Sequence, residues 1–321
     1  MNAIVSATIL STRSDGNVIH HEDGAADFAI SPQLACHYER ADATLWSKWL
    51  PRGIPSFNVD LLHDLARASD VIEQQFHADA DRPLRFVVLG SGIDNVFNLG
   101  GDLGYFQSLI AEQDRSGLTD YARAAVGAIH RNYVGHGVDG VTTIALLEGD
   151  ALGGGFECAL SCDIVVAERH VKAGFPEVLF NMFPGMGGIS FLARRVNRKI
   201  ADDLVRSGRQ YSALELLDLG VIDRVVETGE GARAVREIVA RRQHQHAAHA
   251  AMNRVDRMVR PVTMEELEEV VKLWVDCAMQ MSPRSLEWMQ RLYQRQLAVF
   301  GRPLESCAAS APGLEQATAA A

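Results

Sequence analysis

The chain has 321 residues, 47% hydrophobic and 22% charged, enough to bury a sizeable core in one large domain plus an appendage. Its formal charge of -10, from 31 basic and 41 acidic residues, argues against a general affinity for nucleic acid or anionic lipid. Cys36, Cys158, Cys162, Cys277 and Cys307 show neither C-x-x-C nor zinc-ribbon spacing, and no apolar run approaches bilayer length, so the expectation is a cytoplasmic, unanchored protein with reduced thiols and no metal.

Residues 1–15 carry no basic region ahead of their short apolar stretch and read as a flexible N-terminus rather than a leader. Residues 16–31 hold two apolar-alternating runs around Asp23-Gly24, a dipeptide that suits a tight hairpin, and predict a first strand pair. From Asn58 to about Phe76, Leu61, Leu62, Leu65, Ala68 and Ile72 recur at helical spacing, with Ser56 or Asn58 as cap. The run RFVVLGSG (85–92) predicts a buried strand. It begins like a dinucleotide-binding turn, but Asn95 occupies the third glycine position and another turn follows where a long helix is required, so that reading is set aside.

A helical stretch is predicted over roughly 102–135, interrupted near Gly117, then a buried strand over 142–149. A short helix over 155–161, a strand over 163–169 and an extended segment to Phe175 follow, and alternation continues to 221–227. Such a pattern predicts an α/β core over 16–232 built of β-β-α units. From 233 to 300 the pattern is almost wholly helical, a C-terminal helical subdomain, with Leu267, Val270, Val271, Trp274, Val275, Ala278 and Met279 on one side of a helix. Residues 301–321 are small and Pro/Gly/Ala-rich and read as a disordered tail.

The chemistry concentrates in 148–168. Three glycines, Gly153 to Gly155, stand between a strand and a helix start, where backbone N–H groups and the helix dipole suit an oxyanion; the plain alternative is a tight turn without a ligand. With Gly154, the pair Gly100-Gly101 offers a second N–H from a separate loop, the number a thioester carbonyl needs as it becomes an enolate. Glu157 follows the glycines, and Glu177 follows Pro176 at another helix start. Each alone is an ordinary dipole-complementing carboxylate whose removal costs at most about 1 kcal/mol. On separate segments they are able to converge as two carboxylates for proton transfer.

Other clusters carry plainer readings. His244, His246 and His249 lack metal-site spacing and predict a solvated helix face. Cys158 and Cys162, at i and i+4, predict core positions. Arg194, Arg195, Arg198 and Lys199 predict a solvated face, with a docking patch for an acidic carrier protein as the alternative.

The order FNLGGDL (97–103), ALGGGFE (151–157), CDI (162–164), GFPE (174–177) and PGMGG (184–188) resembles the enoyl-CoA hydratase/isomerase, or crotonase, superfamily over about residues 16–300. The resemblance implies a crotonase-like spiral of β-β-α units. It also implies Gly101 and Gly154 as the oxyanion hole, Glu157 and Glu177 as the catalytic pair, Gly185 as a water-holding amide, no cofactor, and a trimer or hexamer. Within the superfamily, PEVLFNMFPGMG (176–187), LGGGFECALSCD (152–163) and LWVDCAMQMSPRSL (273–286) are similar to diffusible signal factor synthases, which make cis-2-unsaturated fatty acids as quorum-sensing signals. That likeness implies dehydration of a 3-hydroxyacyl chain on acyl carrier protein, with Glu177 taking the carbon-2 proton and Glu157 protonating the leaving hydroxyl. Thioester hydrolysis would follow, and a regulatory protein partner is implied. Two departures stand out: Glu148-Gly149-Asp150-Ala151 replaces the commoner N-G-x-A, and NLGGD replaces AGAD. Met186, Trp274 and Leu292 are expected in an acyl-chain pocket. The alternatives are a CoA-dependent hydratase or isomerase, which shares every catalytic residue, and a non-catalytic binding protein on the same fold.

Overall fold

The computed structural model describes residues 18–20, 26–77 and 83–301. The predicted flexible N-terminus (1–15), the Asp23-Gly24 turn and the tail after residue 301 lie outside these. Strands β1 (Val18–His20) and β2 (Ala26–Ser31) pair antiparallel, as the hairpin pattern predicts. Two further strands, β3 (Leu34–Glu39) and β4 (Thr44–Trp49), continue the meander. They are absent from the sequence reading, although Leu34, Cys36 and Tyr38 alternate as buried residues with more exposed neighbours. That period of two was the available signal.

Helix α1 (Val59–His77) begins where Asn58 Oδ1 accepts the Leu61 N–H at 2.8 Å, a side-chain cap of the predicted kind. A repeated unit follows. In it, β5 (Phe86–Ser91) enters the main sheet, β6 (Asn95–Asn98) enters a second sheet, and α2 (Leu103–Ala111) and α3 (Arg115–Tyr133) return. The next turns are β7 (Thr142–Leu147), β8 (Gly149–Leu152) and α4 (Gly154–Leu160), then β9 (Ile164–Glu168), β10 (Lys172–Gly174) and a 3-10 helix (Pro176–Phe180). The α2–α3 break falls at 112–114, ahead of Gly117, because Asp114 caps α3 by accepting the Gly117 N–H. The run 142–149 is two strands in different sheets.

Helices α5 (Gly188–Arg195) and α6 (Arg198–Ser207), strand β11 (Gln210–Ser212), helix α7 (Ala213–Asp218) and strand β12 (Arg224–Val226) complete both sheets. The main sheet runs β1-β2-β3-β4-β5-β7-β9-β12, parallel from β4 onward; the second runs β11-β10-β8-β6. The chain is thus an α/β spiral of β-β-α units. The central strands are buried on both faces, which is why they read as continuous apolar runs. Val87, Leu89, Ala145, Leu147, Val165 and Ala167 join the main core, whereas Phe86, Val88, Ile144, Leu146, Ile164 and Val166 pack with Ala234, Val235 and Val239.

Those last three residues lie on α8 (Gly231–Gln243), which is followed by α9 (His246–Val259), α10 (Met264–Met279) and α11 (Pro283–Phe300). Helix α10 packs on α3 through its buried face of Leu267, Val271, Trp274, Val275 and Ala278, and α11 lies across α2 and the 3-10 helix. Trp274 of α10 and Met289 and Leu292 of α11 line a shared cavity.

Candidate active site

The site begins where β8 ends. Gly153 has φ +52°, and a side chain there would meet the Glu177 carboxylate at 2.5 Å, so glycine satisfies both the backbone and the space. A Cβ at Gly155 would collide with Asn98 O. The start of α4 is thereby pressed against the loop 98–101.

Most amides around this junction already have partners. Gly100 N donates to Asn98 Oδ1 at 2.7 Å, Gly153 N to Gly174 O at 2.9 Å, Asp102 N to Tyr121 Oη at 3.2 Å, and Phe156 N and Glu157 N to Gly153 O. Gly101 N and Gly154 N have no such partner among the described residues. These are the two amides singled out by the sequence, and they come from adjacent loops, since a Cβ on Gly100 would stand 3.0 Å from Gly154 N.

Two residues that the sequence reading missed hold this loop. Asn98 is fully buried and fixes Gly100. Tyr121, on α3, donates to Phe57 O at 2.5 Å while accepting from Asp102 N. Phe57 N in turn donates to Gly100 O. Asn98 sits inside the FNLGGDL run and acts only two residues away, so that motif was its available signal; no local motif marks Tyr121, whose partners Phe57 and Asp102 lie on other segments. Tyr121→Phe leaves Phe57 O and Asp102 N without that partner, so a loss of about 1–3 kcal/mol in denaturant unfolding is expected. An unchanged midpoint would mean that the hydroxyl holds nothing.

The carboxylates are placed asymmetrically. Glu157 is buried on α4, and its Oε1 accepts the N–H groups of Met186 and Gly188, each at 2.7 Å. Burial pushes its carboxyl up to about 7, while the two N–H groups pull the other way. Glu177, in the 3-10 helix, has its Oε2 shut from solvent with no protein partner. Burial, followed by the charge of Glu157, pushes Glu177 well above the ordinary carboxylate range. Two N–H donors favour the ionised form of Glu157 and no protein donor reaches Glu177 Oε2, so a proton shared by the pair is favoured on Glu177.

The same geometry corrects the small stability cost expected for removing Glu157. Truncation there would orphan two buried N–H groups, each worth about 1–3 kcal/mol.

All eight residues singled out by sequence, Gly101, Gly154, Glu157, Glu177, Gly185, Met186, Trp274 and Leu292, line one mostly apolar cavity of about 60 Å³. Gly185 admits the Trp274 indole, with which any Cβ would collide. Phe106 packs edge-on against Trp274 and Tyr121, with centroids 5.0 Å away in both cases, which stiffens the wall.

The other clusters stay out of the cavity. Cys158 and Cys162 are buried, and burial raises both thiols, Cys162 to about 12, so neither is a thiolate nucleophile. His246 is not solvated as expected: its ring packs on Phe86 and Nε2 meets Gly140 O at 3.0 Å. Among the described residues no group of His, Cys, Asp and Glu could hold a metal, and no helix is long and apolar enough to cross a membrane. The basic cluster is also corrected. Arg194 bonds Glu266 and Pro261 O, and Arg195 bonds Cys162 O and pairs with Asp223. Both serve the fold, leaving Arg198 and Lys199 as the exposed cations.

The model for "Enoyl-CoA hydratase/isomerase" matches residues 51–291. The chain belongs to this family. The probable mitochondrial enoyl-CoA hydratase 2 of Arabidopsis thaliana is 30% identical over 175 residues, 54% of each chain, so the match spans about half the length of that relative. Among solved structures, human mitochondrial delta3-delta2-enoyl-CoA isomerase matches with TM-score 0.67 at 18% identity, covering 83% of this chain and 98% of the other. Pseudomonas aeruginosa DspI matches with TM-score 0.57 at 21% identity, covering 84% and 96%. These two likenesses concern the fold. Around one cavity this family member places two glutamates and, among the described residues, two glycine amides without a protein partner.

Proposed function

We propose that this family member adds water to, or removes it from, the carbon 2–carbon 3 bond of an acyl-CoA thioester. The observation that carries this reading is the asymmetric glutamate pair beside two free amides. Gly101 N and Gly154 N stabilise the enolate oxygen of the thioester. Glu157 in its ionised form, which the Met186 and Gly188 N–H groups favour, draws a proton from water as it attacks carbon 3, and Glu177 delivers its proton to carbon 2. Gly185 is assigned to the same water. The resting protonation thus favours hydration, where the sequence analysis assigned the two glutamates for dehydration. The reverse reaction needs the shared proton moved to Glu157. CoA is proposed as carrier because the plant relative is described as an enoyl-CoA hydratase.

Incubation with a trans-2-enoyl-CoA should consume the conjugated thioester and give a 3-hydroxyacyl-CoA by chromatography. No turnover of any enoyl-CoA by folded protein would defeat the reading. The signal-synthase reading, supported by the three sequence blocks and the altered glycine loops, predicts instead that a 3-hydroxyacyl carrier-protein thioester is dehydrated and released as free cis-2-enoic acid. The same chromatography distinguishes it.

The pH dependence follows from the pair. Hydration kcat/KM should rise through a pH of about 7 as Glu157 ionises, then fall at higher pH once Glu177 loses the proton it must deliver. A profile flat across neutrality would remove Glu157 as the base.

Assembly is proposed as a trimer or hexamer. Met252, Val255, Met258 and Val259 expose a mostly apolar stripe along α9, a surface that suits burial against another copy. A light-scattering mass of one 35.1 kDa chain at micromolar concentration would rule this out.

A further inference from the structure

A second cavity adjoins the first across Met186. Along α3 the wall of the catalytic cavity is formed by Tyr121, Ala122 and Ala125; one turn further, Ala128, Ile129 and Asn132 face the second cavity, of about 30 Å³. Helix α4 repeats the pattern, with Gly154 and Glu157 facing the first cavity and Cys158 the second. Only Met186 lines both cavities among the described residues.

Met186 is a fixed post with a movable arm. Its N–H is tied to Glu157, while its thioether lies over Gly154, where a Cβ would collide with Sδ. An unbranched side chain with three rotatable bonds repacks at little cost. Behind it, the inner walls are largely apolar, with Phe57, Leu65, Ile72 and Leu89 prominent. The far wall includes His136, whose Nδ1 lies 2.9 Å from Ser69 Oγ and whose Nε2 has no partner. Burial, then the nearby Arg131 charge, lowers this imidazole to about 4, so it is neutral at pH 7. Uncharged and mostly apolar, the inner cavity suits the end of a hydrocarbon chain.

We propose that the inner cavity receives the last carbons of the substrate's acyl chain, with Met186 as the gate between it and the catalytic cavity. This rests on the thioester reading above and adds what sets chain length. A water needs about 10–15 Å³ by the same measure, so the inner space holds on the order of two methylene groups.

The test uses saturated acyl-CoA esters, which cannot be hydrated, titrated by calorimetry into the full chain over a series of chain lengths. Each methylene that finds apolar space should tighten binding about fourfold. Ala128→Leu, which fills the inner cavity, should weaken the longest bound ester by about sixteenfold, two methylenes at about fourfold each, and leave the shortest within error. Met186→Ala should move the plateau to longer chains. If Ala128→Leu fails to fold, Ala68→Val fills the same space from α1. Equal losses at every length, or an unchanged profile, would overturn the inference and leave the thioester reading standing. No binding at any length, with no enoyl-CoA turnover, would sink both.

Discussion

Glu157→Gln is expected to lower hydration turnover by about a thousandfold, within the range that a positioned acid or base contributes. The amide keeps an oxygen to accept the Met186 and Gly188 N–H groups, so the site keeps its shape and loses only the base. Glu177→Gln should lower turnover similarly and affect stability differently. Its carboxyl is raised by burial and by Glu157, so its contribution to stability is present below the unfolded carboxyl value and lost as pH rises toward the folded one. A glutamine does not ionise. Glu177→Gln should therefore gain stability relative to the parent chain on the alkaline side, read as a difference in denaturation midpoint between acid and alkaline buffers. Parent-like turnover by either folded variant would end the two-carboxylate mechanism.

The second large effect is expected at Gly154. Gly154→Ala and Gly154→Pro place the same Cβ against the Met186 thioether, and both residues are tolerated at the first position of a helix. Only proline removes the N–H. Gly154→Pro should therefore lose a further 100- to 1000-fold, roughly, in kcat beyond whatever alanine loses, the effect of deleting one oxyanion donor. The ratio of the two variants isolates the hydrogen bond from the crowding. Equal turnover by alanine and proline would show that the Gly154 amide does not touch the reacting oxygen.

The sequence by itself determined the elements whose signals are local. A helix starting near Asn58 with Ser56 or Asn58 as cap, buried strands within 85–92 and 142–149, and glycines at the strand-to-helix junction before Glu157 were all legible, and the structure has Asn58 as the cap and strands at 86–91 and 142–147. The glycine junctions and paired glutamates, the motif order read as a resemblance, and the large apolar residues of the late helices together brought forward the eight residues that share one cavity. Tertiary structure alone decided three things. It split 142–149 into strands of two sheets, because a sheet change leaves no mark on hydrophobic period. It turned Arg194 and Arg195 from apparent surface charge into internal ties, because their partners Glu266, Pro261, Asp223 and Cys162 lie far along the chain. And it separated two chemically identical carboxylates: Glu157 receives two N–H groups from the loop before and the start of α5, while Glu177 faces the cavity with an unpartnered oxygen. A proton's position depends on burial and on hydrogen-bond donors brought from elsewhere in the fold, and a sequence carries neither until it is folded.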